Sequence, residues 1–207
     1  MASLRARRDN AAVAGPLRDL REPLKGVAAA MTQTYNTTAR ALHWLVFALV
    51  LTALTVGWIM TDLPLSPTKL RVYSWHKWVG VTVLALFFVR LAWRLRHPAP
   101  PPLPMPAWQH RSAHALHGLL YLLMVVQPLT GWIYSNAAGF PVVYLGVLPL
   151  PNLVAKDHAL AERFEDLHGA GATLFAILVA LHALAALKHH FIDRDDTLRR
   201  MLPPRRG

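Results

Sequence analysis

Four histidines of this 207-residue chain lie within apolar stretches, where an ionisable side chain needs a functional reason. His43 begins the first stretch, and His76 begins the second from the opposite side. His168 begins the fourth stretch, and His182 follows fourteen residues later. In a helix, that spacing places both imidazoles on nearly one face, about 21 Å apart along the axis. Imidazole is a common metal ligand, so the pattern predicts metal-binding side chains inside a helical bundle.

The four histidines form two pairs, and the members of each pair lie at the same depth in the membrane. His76 and His168 lie near one surface, whereas His43 and His182 lie toward the other. We therefore expect two pairs, His76 with His168 and His43 with His182. Each pair can supply two axial nitrogens to one haem iron held between helices. The sequence predicts two haem b groups, with iron bound through these four residues.

The elements that must position these histidines are four apolar stretches. The chain is 54% hydrophobic and only 16% charged, which is typical of a polytopic membrane protein. We predict an all-α membrane protein, a four-transmembrane-helix bundle with spans at about 42–61, 75–93, 115–134 and 168–187. The expected organisation is a disordered basic extension at 1–34, a four-helix transmembrane domain at 35–192 and a basic tail at 193–207.

The distribution of cationic residues predicts the orientation. Seventeen of the 22 Lys and Arg residues lie in the two terminal segments and in the connection from Arg90 to Arg111, which contains the Pro-rich run 98–106, and five lie in the other two connections. Cytoplasmic segments carry the excess of Lys and Arg, so both termini should be cytoplasmic. The net charge of +11 then reflects topology, and we expect no nucleic-acid partner. The absence of cysteine excludes disulfides, iron–sulfur clusters and covalently attached haem.

Further polar residues flank the predicted haem sites. Three histidines and two arginines on the cytoplasmic side are candidates for quinone or haem-propionate contacts: His114, His117, His189, Arg90 and Arg94. Lys69, Arg71 and Lys77 lie near the periplasmic site, where they could anchor the chain at the interface or attract a small anion. The connection 136–167 is expected to form a short interfacial helix or a lid over that site.

In this order and spacing, several short motifs resemble the bacterial cytochrome b561 family from about Thr34 to the carboxyl terminus. They include Ala41-Leu-His43-Trp44, Trp75-His76-Lys-Trp-Val-Gly80, Asp166-Leu-His168, Ala180-Leu-His182 and Lys188-His189-His190-Phe191. The resemblance implies a multi-pass protein of the bacterial inner membrane with haem ligands at the four paired histidines. It also implies electron exchange with ubiquinone, and its superoxide oxidase members take electrons from periplasmic superoxide.

The function predicted from the sequence is electron transfer by a dihaem b-type cytochrome. The electrons would pass between a small periplasmic donor, such as superoxide, and the ubiquinone of the membrane lipid phase. Two alternatives stay open at this point. One is a membrane-anchor cytochrome b subunit of a hydrogenase or dehydrogenase, which would require a partner subunit. The other is a metal transporter with a histidine relay, which the lack of intramembrane carboxylates disfavours.

Overall fold

The protein was examined as a computed structural model that describes residues 34–203. Within that range the chain forms four long helices: α1 (Thr37–Asp62), α2 (Pro67–Arg96), α3 (Ala107–Ala137) and α4 (His158–Lys188). All four are long and apolar enough to cross a membrane, with mean hydropathies from 1.4 to 2.2 in their most apolar windows. The predicted four-span bundle is confirmed. The extension at 1–33 and the last four residues of the tail lie outside the described part of the chain.

The helices begin where the sequence supplies capping groups. The Asn36 side chain accepts a hydrogen bond from the Ala39 backbone N–H, and Ser66 accepts one from Lys69 just before Pro67. Asp157 caps α4 in the same way through Leu160. Each cap satisfies a backbone donor that the first helical turn leaves free. α3 begins after Pro106 without a side-chain cap.

The core is a thin seam between the helices. Neighbours along the chain pack together, α1 on α2, α2 on α3 and α3 on α4. Each helix contributes two buried apolar residues, which are Val46, Val50, Val83, Phe87, Leu123, Met124, Phe175 and Leu178. Many large apolar side chains on the outward faces are exposed, among them Ile59, Phe88, Leu122 and Leu184. An apolar exterior around a small core is what a lipid environment requires.

The connection after α3 differs from the predicted interfacial helix. Val143–Tyr144 and Leu148–Pro149 form a small antiparallel hairpin, whose turn places Leu145 and Gly146 at positive φ. The apolar run with its prolines and Gly146 favours a tight turn over a helix. The charged stretch 156–166 belongs to the start of α4 instead. The expectation of a short helix in this connection was therefore wrong, whereas the other expectation, a lid over the haem site, stays a prediction.

The hairpin lies against α2. The indole Nε1 of Trp78 donates a hydrogen bond of 2.7 Å to the Val143 carbonyl, and the hydroxyls of Thr82 and Tyr144 are 2.9 Å apart. Trp78 is two residues after His76, so the hairpin contacts α2 at nearly the depth of one of the predicted haem sites. We call this side of the bundle the hairpin end. The opposite side, where α1 begins and α4 ends, is the termini end.

At the termini end, the chain after α4 folds back onto α1. α4 continues into one π-helical turn at His189–Asp193, and Arg194 then adopts a left-handed conformation that turns the chain. The indole of Trp44 donates a 2.8 Å hydrogen bond to the Met201 carbonyl, and Arg40 donates one of 2.9 Å to the Leu202 carbonyl. The segment up to residue 203 is therefore part of the folded bundle and not a free tail.

Candidate functional site

The first pair of histidines lies toward the hairpin end. His76 on α2 and His168 on α4 place their ring centres 6.1 Å apart, with the ring planes at 88°. His76 comes nine residues after the start of α2, and His168 comes ten residues after the start of α4. Both therefore lie about 14–15 Å into the bundle, because each helical residue rises about 1.5 Å. α4 begins earlier than the predicted span, so His168 lies inside this helix and not at its start.

The second pair lies toward the termini end. His43 on α1 and His182 on α4 also have ring centres 6.1 Å apart, with the planes at 70°. His43 is six residues from the start of α1, and His182 is six residues from the end of α4. The structure thus brings together the same two pairs that the depths of the histidines predict.

The spacing within both pairs suits an intervening metal. A metal–imidazole bond of about 2.0 Å and a distance of about 1.1 Å from nitrogen to ring centre place two axial imidazoles about 6 Å apart, centre to centre. The four residues therefore fit a pair of bis-histidine haem sites.

Glycines hold space for the rings of the His76–His168 pair. A Cβ at Gly57 of α1 would lie 3.1 Å from Cε1 of His76, and one at Gly131 of α3 would lie 2.9 Å from Cε1 of His168. Both distances are too short for an alanine without movement of the imidazole. The two glycines therefore let neighbouring backbones approach the rings closely.

Hydrogen bonds fix the ring of His168. Its Nδ1 is 3.1 Å from the Gln127 carbonyl oxygen and 3.1 Å from the Thr130 hydroxyl oxygen. The Gln127 side chain donates in turn to the His168 carbonyl at 3.0 Å. Gln127 and Thr130 are both buried. Sequence reasoning missed both, although a polar pair flanking Pro128 within an apolar span could have indicated them.

The ring of His43 has a different partner. Nη1 of Arg90 lies 3.0 Å from Nδ1 of His43. Arg90 also lines a shallow cleft at the termini end, together with Arg94, His97 and Met201. Two guanidinium groups in such a cleft suit the carboxylates of a haem propionate, as the sequence predicts for Arg90 and Arg94.

The remaining histidines of the termini end do not form one cluster. His117 lies near the second pair, with its ring centre 5.1 Å from that of His182. His114 packs instead on His110, at 4.5 Å between ring centres. His189 contacts two carboxylates, with Nδ1 2.6 Å from Asp195 and 3.1 Å from Asp193.

The carboxyl group of Asp195 has a lowered pKa. Burial raises the pKa of its carboxyl, but hydrogen bonds from Thr197 and His189 more than offset this effect, and the net pKa is lowered. The Asp195 carboxylate can thus accept a hydrogen bond from Nδ1 of His189 and orient the imidazole. Sequence reasoning did not select Asp195, because its approach to His189 depends on the turn that follows α4.

The cations near the first pair contact protein groups. Lys69 donates hydrogen bonds to the carbonyls of Thr61 and Leu63, at the end of α1. Such carbonyls attract a cation because the last helical turn leaves them without backbone donors. Lys77 is half-buried and donates a 3.0 Å hydrogen bond to the Ser135 hydroxyl.

Comparison with known proteins gives a consistent match. The sequence pattern of a family described as prokaryotic cytochrome b561 matches residues 34–204. The chain is 34% identical to cytochrome b561 homolog 2 of Escherichia coli (strain K12) over 172 residues, which cover 82% of this chain and 92% of that protein.

Two further relatives cover similar shares. The probable superoxide oxidase CybB of Yersinia pestis is 32% identical over 183 residues, 86% of this chain and all of that protein. Cytochrome b562 of Cereibacter sphaeroides is 29% identical over 186 residues, again over its whole length. Since the family match contains all four paired histidines, the chain belongs to the prokaryotic cytochrome b561 family of membrane-embedded, electron-transferring b-type cytochromes.

Proposed function

We propose that the chain is a dihaem b-type cytochrome that transfers electrons between a periplasmic donor and membrane ubiquinone. The observation that supports this function is the arrangement of two histidine pairs, each with ring centres 6.1 Å apart, toward the two ends of one bundle. Haem iron with two imidazole ligands supplies one-electron chemistry without an open coordination position. The role of the helices is to hold both pairs at fixed depths.

We propose the orientation in which the hairpin end faces the periplasm and both termini face the cytoplasm. The excess of Lys and Arg in the terminal segments and in the connection from Arg90 to Arg111 supports it. Under this orientation, His76 and His168 hold the periplasmic haem, and His43 and His182 hold the cytoplasmic haem.

Superoxide is the proposed donor. The support comes from the relative named as a probable superoxide oxidase, which aligns over its entire length. Lys77 follows His76 in the sequence and provides a half-buried positive charge at the hairpin end. A cation in this position favours the approach of a small anion. Lys69 contributes less, because helix-end carbonyls already engage its amine.

The proposed quinone region is at the termini end, near His117 and His189. His117 is beside His182, so a quinone there would lie close to the second haem. His189 provides an imidazole that is oriented by the Asp195 carboxylate at 2.6 Å, and an oriented imidazole suits proton transfer to a reduced quinone. His114 has its contact with His110 and is the weaker candidate.

The test starts with the full chain, purified in detergent from haem-replete cells. Reduced-minus-oxidised spectra and a pyridine haemochrome assay should give two haem b groups per chain. Stopped-flow mixing with superoxide should then reduce both haems, and added ubiquinone should reoxidise them. Colourless protein would overturn the cytochrome assignment.

Fully haem-loaded protein that superoxide leaves oxidised would overturn the donor alone. The rival function, an anchor subunit of a hydrogenase or dehydrogenase, predicts that a large iron–sulfur partner co-purifies with the chain. Recovery of a lone dihaem protein that superoxide reduces would contradict it.

A further inference from the structure

α3 and α4 are joined by reciprocal hydrogen bonds at the level of His168. The His168 ring approaches the Gln127 carbonyl at 3.1 Å, while the Gln127 amide donates to the His168 carbonyl at 3.0 Å. Each residue thus uses its side chain to bond the backbone of the other. The arrangement fixes both the depth of His168 along the bundle and the rotation of its ring.

The partners of the His168 ring define which nitrogen carries the proton. A carbonyl oxygen can only accept a hydrogen bond, so Nδ1 of His168 must donate to Gln127. The Thr130 hydroxyl donates to the same carbonyl at 2.9 Å, which leaves its oxygen available to accept from Nδ1 as well. With the proton held on Nδ1, the lone pair is on Nε2 and is free to bind a metal.

The local packing supports this arrangement. Thr130 is only 5% exposed and Gln127 only 7%, so water does not compete for these bonds. A Cβ at Gly171 would overlap the Gln127 side-chain oxygen, and only glycine leaves room for the amide there. Gln127 and Thr130 come from one turn of α3, just before Gly131, which makes room for the imidazole itself.

Among the four paired histidines, His43 shows the opposite arrangement. Nδ1 of His43 faces Arg90, whose guanidinium can only donate. The Nδ1 partners therefore differ between the two sites, with acceptors at His168 and a donor at His43. While Arg90 donates to Nδ1, Nε2 of a neutral His43 carries the proton, so binding of iron through Nε2 requires Arg90 to release Nδ1.

Resting on the haem ligation proposed above, we propose that Gln127 and Thr130 are positioning residues that hold the proton of His168 on Nδ1 and lower the reduction potential of the haem bound by His76 and His168. A ligand imidazole that donates through its second nitrogen becomes a stronger electron donor to the metal. Stronger donation stabilises the oxidised iron relative to the reduced iron, and the potential falls.

The experiment is a spectroscopic redox titration of purified, haem-loaded protein. Thr130→Val keeps the side-chain shape and removes the oxygen, whereas Thr130→Ser retains a hydroxyl. The matched control is Thr52→Val, because Thr52 bonds only the Ala48 carbonyl of its own helix. The haem of the His76–His168 site is assigned by comparison with His43→Ala, which should retain that haem alone.

We expect Thr130→Val to shift the potential of this haem upward, Thr130→Ser to restore it, and Thr52→Val to leave it unchanged. The reduction potential of the other haem, at the His43–His182 pair, should not change in any of these three variants. Gln127→Leu removes the amide that holds the His168 carbonyl and should broaden the low-spin spectrum of the same haem. Selective loss of that haem in Thr130→Val, with retention in Thr130→Ser, would equally support the proposal.

Two-haem protein whose potentials are the same in wild type and Thr130→Val would overturn this inference and leave the proposed function intact. A Thr130→Val protein that loses both haems to the same extent would also contradict it, since a positioning role acts on one site. Wild-type protein without two haems would instead contradict the proposed function.

Discussion

The guanidinium of Arg90 contacts the imidazole of His43, with 3.0 Å between Nη1 and Nδ1. Arg90 comes from α2, while the two histidines of this pair come from α1 and α4. Within the described residues, no carboxylate is within salt-bridge distance of Arg90. An arginine remains charged at all accessible pH values, so this pair has a fixed positive charge beside it.

Replacement of Arg90 by leucine should lower the reduction potential of the haem that we assign to His43 and His182. A unit charge about 9 Å from a redox centre contributes about 2 kcal/mol at an effective dielectric constant of about 20, so the shift should be of the order of 50–100 mV. The measurement is a redox titration of Arg90→Leu beside Arg96→Leu, a control at the exposed end of the same helix. An unchanged potential in Arg90→Leu would show that Arg90 has no electrostatic effect on this haem.

Removal of one axial histidine should remove one haem and spare the other. His76→Ala should lose the haem of the first pair, and His43→Ala that of the second, so each variant should retain about half the haem per chain. His158→Ala is the control, because its side chain is exposed at the start of α4. The haem content is measured by pyridine haemochrome. Full haem content in His76→Ala would exclude that residue as a ligand.

Gly131→Ala should damage the His76–His168 site selectively. The added Cβ would meet the His168 ring at 2.9 Å, and two hydrogen bonds prevent the ring from moving freely. We expect a loss of about 1–3 kcal/mol in stability, as for other overpacked positions, and weaker haem retention. Gly118→Ala is the matched control in the same helix, because no atom lies within 4 Å of its added Cβ. Thermal unfolding and haem loss are followed together, and equal behaviour of both variants would contradict the close approach at Gly131.

Asp195→Asn should destabilise the turn after α4 in a pH-dependent manner. The pKa of Asp195 is lowered in the folded protein, so the carboxylate stabilises the fold above the ordinary pKa of an aspartate. That contribution should be lost as the pH falls from about 4 through the lower folded value. Thermal unfolding of wild type and Asp195→Asn should differ at pH 7 by about 1 kcal/mol, the usual value for a hydrogen bond, and the difference should shrink as the pH falls through the folded pKa of Asp195. A difference that stays constant with pH would contradict an ionic role for Asp195.

The large features of the fold are predictable from the sequence because they follow from one-dimensional patterns. Four apolar stretches predict four helices, and matched depths of His43, His76, His168 and His182 predict which rings meet. Both arguments use only helical rise and an alternating chain direction. The binding of haem by these four residues stays a prediction, which the single-histidine variants test.

Other features depend on contacts that no single stretch of sequence contains. The bonds from Gln127 and Thr130 to His168 require α3 and α4 to pack in one particular rotation. The approach of Asp195 to His189 requires the π-helical turn and the left-handed Arg194. The hairpin at 143–149 replaced a predicted helix because turn formation at Leu145 and Gly146 competes locally with helix formation in this apolar run.

One helix, α4, supplies a histidine to each pair, with His168 and His182 separated by fourteen residues. The geometry of this one helix therefore determines both the distance between the two pairs along the bundle and the relative rotation of their rings. An inserted or deleted residue between them would rotate one ring by about 100° relative to the other and shift it by about 1.5 Å. Such a change could leave at most one centre aligned, so we expect any change of length between the two histidines to disrupt one of the two pairs.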